Sequence, residues 1–207
     1  MKEIKTLIII SLCSIILFIV VYFPNRLYEI RHTQEVLIST ASNLQLIADF
    51  FQLNFLLNNK MTGLLSPNVS ISETTNDKKD RFLSDLVYNT PLLLYRYTDI
   101  NCNACYETEL EVLQEEFADT PTLVSVLCSY TIDQHFVAFK KINKLKIALY
   151  SIDHKAFYWA AEEYGNPYYF VLHPDLKISH IYVPDKAFPE LNRQYLEGVK
   201  RFLTNDK

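Results

Sequence analysis

A Cys-x-x-Cys motif lies where an apolar strand gives way to a helix, and this placement restricts the fold more than any other feature of the 207-residue chain. The continuous apolar run at 91–97, before Cys102, predicts a buried strand. The segment at 106–117, after Cys105, predicts a helix. Unpaired N–H groups and the dipole at a helix N-terminus stabilise a thiolate, so we expect the first cysteine to be activated. The motif therefore predicts thiol–disulfide exchange, with a structural disulfide as the alternative.

The first 23 residues are predicted to form a membrane anchor. Lys2 and Lys5 precede 18 uncharged residues, 6–23, and a helix needs about 20 apolar residues to cross a bilayer, with a range of about 17–25. No small-residue cleavage site follows a short apolar core, which disfavours a removed signal peptide. A lipoprotein acylated at Cys13 is disfavoured because the apolar run continues past that residue. Both alternatives stay open beside an uncleaved, single-pass anchor.

The flanking charges do not decide the orientation of this anchor. Lys2 and Lys5 on one side are balanced by Arg26 and Arg31 on the other, so the positive-inside rule barely discriminates. N-terminal anchors most often keep their short tail in the cytoplasm, which would place the globular body in the periplasm or outside the cell. The net charge of −4 gives no sign of the basic surface that nucleic-acid binding requires, and none is expected.

Three segments are predicted: the anchor at 1–23, a juxtamembrane helical segment at 24–66, and an α/β domain at 67–207. In the second segment apolar residues recur every seven positions, but half of the seam is polar. We therefore favour a helix that lies on its own domain or on the membrane, with a weak homodimer through residues 24–58 as the alternative. The residues seven apart are Ile30, Leu37, Leu44 and Phe51.

Short apolar strands and helices alternate within the third segment. A hairpin at 69–87 that ends in a short helix is predicted before the strand at 91–97. After the helix that follows Cys105, the pattern predicts a strand at 122–128, a helix at 133–143, a strand at 146–150, a helix at 155–163, strands at 168–172 and 178–183, and a helix at 191–203. This order indicates an α/β domain with a mixed sheet.

Metal binding is not expected. A zinc site would need a second pair of ligands at suitable spacing. The remaining cysteines are Cys13, in the predicted anchor, and Cys128, at a strand end where a buried core thiol is expected. The histidines show no paired spacing, so we predict neither a metal nor an organic cofactor.

A second motif, Gly165-Asn166-Pro167, stands directly before the strand at 168–172. Proline at a strand entrance is a place where a cis X–Pro bond can present backbone groups beside a dithiol. The two motifs and the order of elements between them resemble the thioredoxin superfamily. The match is best to its redoxin or TlpA-like branch of membrane-tethered thiol–disulfide oxidoreductases, whose entry "strand, turn, x-Leu-Ser-Asp-Leu" is similar to residues 69–86.

The resemblance implies a thioredoxin-like mixed sheet flanked by helices. It implies that Cys102 is the attacking thiol, that Cys105 is the resolving thiol, and that Pro167 is a cis-proline which binds the substrate together with Asn166. The partners would be protein or peptide thiols and disulfides, with a redox partner that resets the dithiol. A non-catalytic thioredoxin-like binding module tethered to the membrane is the alternative function.

The residues around the dithiol depart from this branch. Asn101 and Ala104 stand where TlpA-like proteins usually carry Trp and Pro, so the direction of electron flow stays open. Acidic residues at Glu107, Glu109 and Glu111 oppose the helix dipole, although solvent weakens their field. We therefore expect a reducing thiol that is only mildly acidified. The Pro-x-x-x-Thr-x-x-Cys motif of peroxiredoxins is absent, and peroxidase activity is not expected.

Overall fold

The computed structural model describes residues 2–73, 81–98, 103–130 and 145–205, apart from the side chains of residues 2–9, 21 and 103–107. Contacts divide the chain into two compact units, Met1–Phe50 and Phe51–Lys207. The second unit therefore begins before the predicted domain boundary at residue 67. The reason is that Leu57 and Met61 are buried in the core of this unit.

Helix α1, Lys2–Met61, continues through the predicted boundary at residue 23 and contains Pro24. In the first unit, every side chain described between positions 10 and 49 is exposed. Among the described residues, the part of α1 from Ile10 to Met61 is long and apolar enough to cross a membrane, judged by length and composition alone. Dimerisation through its heptad residues stays a prediction.

The second unit is built on a mixed sheet with the strand order β5-β4-β3-β6-β7. The strands described are β1 Ser70–Ile71, β2 Arg81–Phe82, β3 Leu92–Thr98, β4 Val124–Ser129, β5 Ala148–Ser151, β6 Tyr168–Leu172 and β7 Ile178–Tyr182. β3 pairs in parallel with β4 and antiparallel with β6, and β7 is antiparallel to β6. The predicted mixed sheet is confirmed, as is the hairpin formed by β1 and β2.

The described helices of this unit are α2 Asn103–Glu116, α3 Ala160–Glu163 and α4 Pro189–Asn205, with 3-10 turns at Leu83–Leu86 and Pro121–Leu123. The first and last of these helices confirm the predictions. The helix predicted at 133–143 lies outside the described residues.

The helix predicted at 155–163 is wrong over its first half. Phe157 and Trp159 are both buried, and their rings stack with centroids 4.2 Å apart. Both rings also meet Phe170 edge-on. Residues two apart do not share a face of a helix, so burial of both aromatic rings requires the non-helical backbone observed here. The helix starts only at Ala160, after an extended Trp159.

The two faces of the sheet are covered by different layers, because alternate residues of a strand point to opposite sides. On one face, Leu94 belongs to a buried cluster that also holds Leu57 and Met61 of α1. On the other face, the Tyr169 hydroxyl donates to Glu109 of α2. Helices α2 and α4 pack against each other on that second face.

The end of α1 pairs with the outer edge of β7. The Asn58 amide donates to the carbonyl of Ile181, and the Ile181 N–H donates to Asn58 Oδ1 at 3.0 Å. Asn54 repeats this arrangement with Val183, at 3.3 and 2.7 Å. Residues 63–66 then bond to the start of the same edge. Because an unpaired edge strand invites association with other chains, these bonds protect the sheet.

Replacing Asn58 with Ala should lower the free energy of unfolding by about 2 kcal/mol, because it removes both hydrogen bonds to Ile181 and leaves the buried backbone groups of Ile181 unpaired. Urea denaturation monitored by circular dichroism measures the effect. Asn59→Ala is the matched control, since Asn59 is the exposed neighbour on the same helix. If Asn58→Ala lowers the free energy of unfolding no more than Asn59→Ala does, edge pairing adds no stability.

Candidate functional site

The predicted reactive cysteines follow β3 in the sequence, and β3 stops at the end of the sheet where β6 begins. β3 ends at Thr98, and α2 begins at Asn103. Cys102 directly precedes α2 in the sequence and lies outside the described residues. Cys105 lies in the first turn of α2, although its side chain is outside the description. The roles assigned to the two thiols therefore stay predictions.

Pro167 is buried directly before β6, and the exposed Asn166 precedes it. The β3–β6 ladder reaches the pair Arg96 and Tyr168, so Pro167 comes one position beyond its last pair, at the end of the sheet where β3 leads toward the dithiol. The predicted cis bond is wrong, because the described residues contain no cis peptide. Gly165, with φ 66°, provides the change of chain direction into β6. Substrate binding by Asn166 and Pro167 stays a prediction.

A charged residue, Arg96, is completely buried in β3 near this end of the sheet, with 1% of its surface exposed. Its guanidinium donates to both carboxylate oxygens of Glu162, at 2.9 and 3.4 Å, and to the Ser129 hydroxyl at 2.7 Å. The Tyr168 hydroxyl donates to the same carboxylate at 2.7 Å. The network thus compensates a buried cation with a bidentate anion. Sequence analysis missed it, although a lone Arg in an apolar strand was a usable signal.

A cavity of about 320 Å³ opens beside this network. Its lining includes Arg96, Phe157, Tyr158, Glu162, Gly165 and Asn166. The cavity therefore adjoins the segment that was predicted to bind substrate. Aromatic walls with a few convergent polar groups are typical of small binding sites.

A second buried polar cluster lies on the opposite face of the sheet, around Glu109 of α2. Glu109 Oε1 accepts from the Asn192 amide at 2.7 Å, and Oε2 accepts from the Tyr169 hydroxyl at 3.1 Å. Asn192 in turn accepts from the Tyr182 hydroxyl at 2.7 Å. Burial raises the pKa of Glu109, while the two hydrogen bonds act to lower it. The sequence predicts that solvent weakens the field of Glu107, Glu109 and Glu111. For Glu109 this prediction is wrong, because its carboxyl is buried.

The described cysteine side chains, Cys13 and Cys128, form no disulfide with each other. Cys128 is buried at the end of β4, as expected, with its sulfur 3.4 Å from the carbonyl oxygen of Tyr150.

Among the described residues, no group of three or more His, Cys, Asp and Glu side chains is arranged to hold a metal ion.

Comparison with solved structures identifies the fold. The chain superimposes on the solution structure of a thiol:disulfide interchange protein from Bacteroides sp. with a TM-score of 0.50 and 14% identity, covering 69% of this chain and 90% of that one. The thioredoxin domain of a thiol-disulfide oxidoreductase from Bacteroides vulgatus gives a TM-score of 0.50 at 13% identity, with 69% and 97% covered. No protein-family model and no curated protein matches the sequence. The chain has a thioredoxin-like fold.

Replacing Arg96 with Met should lower the free energy of unfolding by about 3–5 kcal/mol, because the Glu162 carboxylate would stay largely buried without its cation. Adding Glu162→Gln to this variant should recover part of the loss. Urea denaturation checks both expectations, with the exposed Arg201→Met on α4 as the control for loss of an arginine. A loss in Arg96→Met below about 1 kcal/mol would contradict the importance of the pair.

Proposed function

We propose that this chain, whose second unit has a thioredoxin-like fold, is a membrane-anchored thiol–disulfide oxidoreductase that exchanges disulfides through Cys102 and Cys105. One observation carries the proposal: the Cys-x-x-Cys motif follows the central strand of the sheet, and its second cysteine lies in the first turn of α2. Helix N-termini favour a thiolate, which is the reactive form of cysteine. The names of the structural neighbours, an interchange protein and an oxidoreductase, agree with this chemistry.

The proposed reaction has two steps. The Cys102 thiolate attacks one sulfur of a substrate disulfide, so that a mixed disulfide forms and the other substrate sulfur leaves as a thiolate, which takes up a proton. Cys105 then loses its proton and attacks Cys102, the internal disulfide closes, and the second substrate thiol is released. The dithiol is oxidised by two electrons and the substrate disulfide is reduced by two. A redox partner must reverse this change, and the same steps run backwards when the protein acts as an oxidant.

The substrates are proposed to be protein or peptide disulfides held against Asn166 and Pro167. These residues support the proposal because they directly precede β6, at the end of the sheet where β3 stops before the dithiol in the sequence. In this arrangement the substrate backbone lies between the two motifs, and the direction of electron transfer is determined by the reduction potential of the dithiol.

Loss of the attacking thiol should abolish turnover. In an assay of model-disulfide reduction by the full-length chain, Cys102→Ser should fall at least about 100-fold, because the residual thiol lacks the activated position. Cys13→Ser is the matched control, since it removes an exposed thiol in the first unit and should leave turnover unchanged. Equal turnover by wild type and Cys102→Ser would contradict the enzymatic function.

The same assay separates catalysis from simple binding. Cys105→Ser should accumulate mixed disulfides with substrate, visible as reducible adducts by mass spectrometry, because nothing resolves the first step. Absence of such adducts, together with stable binding of a partner, would instead support the non-catalytic module.

The anchor is proposed to hold the redox domain at a membrane, facing the periplasm or the exterior. The apolar part of α1 supports this, because its side chains are exposed and need an apolar surrounding. We predict that the full chain stays in the membrane fraction after an alkaline carbonate wash, whereas a variant lacking residues 1–23 is released. Protease added to cells whose outer envelope has been opened, but whose cytoplasmic membrane is intact, should then degrade the domain. Release of the full chain by carbonate would contradict the anchor.

A further inference from the structure

The first unit carries an apolar stripe that has no part in the exchange steps described above. Helix α1 continues through residues 24–49, and every side chain of this stretch is exposed. Ile30, Leu37 and Leu44 recur at intervals of seven and expose 52%, 62% and 61% of their surface. Soluble surfaces rarely leave contiguous apolar patches of this extent open to water, and those that do are commonly interaction sites.

The residues three positions before each of these three complete a heptad seam. The seam considered from the sequence uses the residues three positions later, such as Thr33 and Thr40, and is half polar. With the earlier residues, six of the seven seam positions from 27 to 48 are apolar, at alternating intervals of three and four. This is the a/d pattern of a coiled coil, which needs the continuous helix observed here. The added a positions are Leu27, Gln34, Ala41 and Ala48.

The charges of the same stretch argue against the membrane as the cover of this seam. Residues 24–50 contain three acidic and two basic residues, which would have to enter the hydrocarbon with the stripe at a high cost. Helices that lie on a membrane surface are typically rich in basic residues, and that excess is not found here. No charge occupies a seam position, so the seam itself suits another helix. The five residues are Arg26, Glu29, Arg31, Glu35 and Asp49.

We propose that residues 27–48 of two copies of this chain form a parallel, two-stranded coiled coil, so that the protein is a homodimer. The parallel direction rests on the proposed anchor, because two chains with the same topology enter the membrane by the same end. Each seam residue then packs against the same residue of the second copy. Ala41 and Ala48 allow the helices to approach closely, and Leu37 and Leu44 fill the adjacent holes as knobs. A polar residue at an a position fixes the register at a cost in stability, which is the role of Gln34.

The charges that flank the seam make this dimer a weak one. Arg26 and Arg31 occupy g and e positions, which a parallel coiled coil brings opposite each other between the two copies. Two like charges therefore meet at this point. The Arg26 guanidinium is 3.2 Å from the Glu29 carboxylate on its own helix, which offsets part of the repulsion.

The test is disulfide crosslinking of the full-length chain in its membrane. Ile30→Cys, Leu37→Cys and Leu44→Cys are made singly in a background carrying Cys13→Ser, Cys102→Ser and Cys105→Ser, and are oxidised with copper phenanthroline. All three should form covalent dimers on non-reducing gels, because only a parallel, in-register pair places each position beside itself. Ser39→Cys is the matched control, since Ser39 is exposed on the same helix but lies on its outer face. It should give at least about 10-fold less dimer.

Sedimentation equilibrium in density-matched detergent measures the strength of association without crosslinking. Leu37→Asp should weaken the dimer at least about 10-fold, because both copies lose a buried leucine. Ser39→Asp should leave it unchanged. Arg31→Glu should tighten the dimer about 3-fold at low salt by pairing with Arg26 of the second copy, and high salt should remove the gain.

Equal crosslinking at positions 37 and 39, or crosslinking at only one seam position, would overturn the parallel dimer. Labelling of Leu37→Cys by a lipid-soluble but not by a water-soluble maleimide, without dimer formation, would assign the seam to the membrane surface and overturn it as well. These outcomes are separate from those of the proposed function, because disulfide turnover depends on Cys102 in monomer and dimer alike. If carbonate releases the full chain, the anchor fails, and the parallel alignment fails with it.

Discussion

The hydrogen-bond ladders on both sides of β3 are the constraint on which the second unit depends. β3 pairs with β4 on one edge and with β6 on the other, and its side chains from Leu92 to Tyr97 are all buried. The two ladders place the end of β3 and the start of β6 at one end of the sheet. A charge on such a strand has no access to water and must be neutralised inside the protein. Arg96 and Glu162 meet that requirement.

Most of the architecture could be predicted because its signals are local. Only a few neighbouring residues are needed to recognise each apolar strand, β3, β4 or β6, and the helical pattern of α4. The start of α3 could not be predicted in this way. Its segment contains good helix formers, but Phe157 and Trp159 pack together against Phe170, and tertiary packing overrides local propensity. The isomer before Pro167 was also outside the reach of sequence, because cis and trans differ by only about 0.5–1 kcal/mol.

The polar clusters of the site were harder to predict, because their partners are distant in sequence. Arg96 and Glu162 are 66 residues apart, and Glu109 and Tyr169 are 60 apart. Glu109 looked like one of three equivalent acidic residues. Helical spacing distinguishes it, since Leu113 and Phe117 follow at intervals of four and are fully buried. The same spacing places Glu109 on the inner face of α2, and this signal was present in the sequence.

The pairing of α1 with β7 has a consequence for the order in which the protein can be completed. Asn58 and its partner Ile181 are separated by 123 residues, so the outer strand is synthesised long after the helix that covers it. Contacts this distant in sequence form slowly, because much of the chain must be ordered first. During synthesis the side chains of Asn54 and Asn58 on α1 therefore have no partners in β7 and Val183. The outer edge of the sheet is paired only when almost the whole chain has been synthesised. A protein shortened at its N-terminus beyond Ser66 would keep every strand of the sheet but would have an open edge, and self-association would be its characteristic failure.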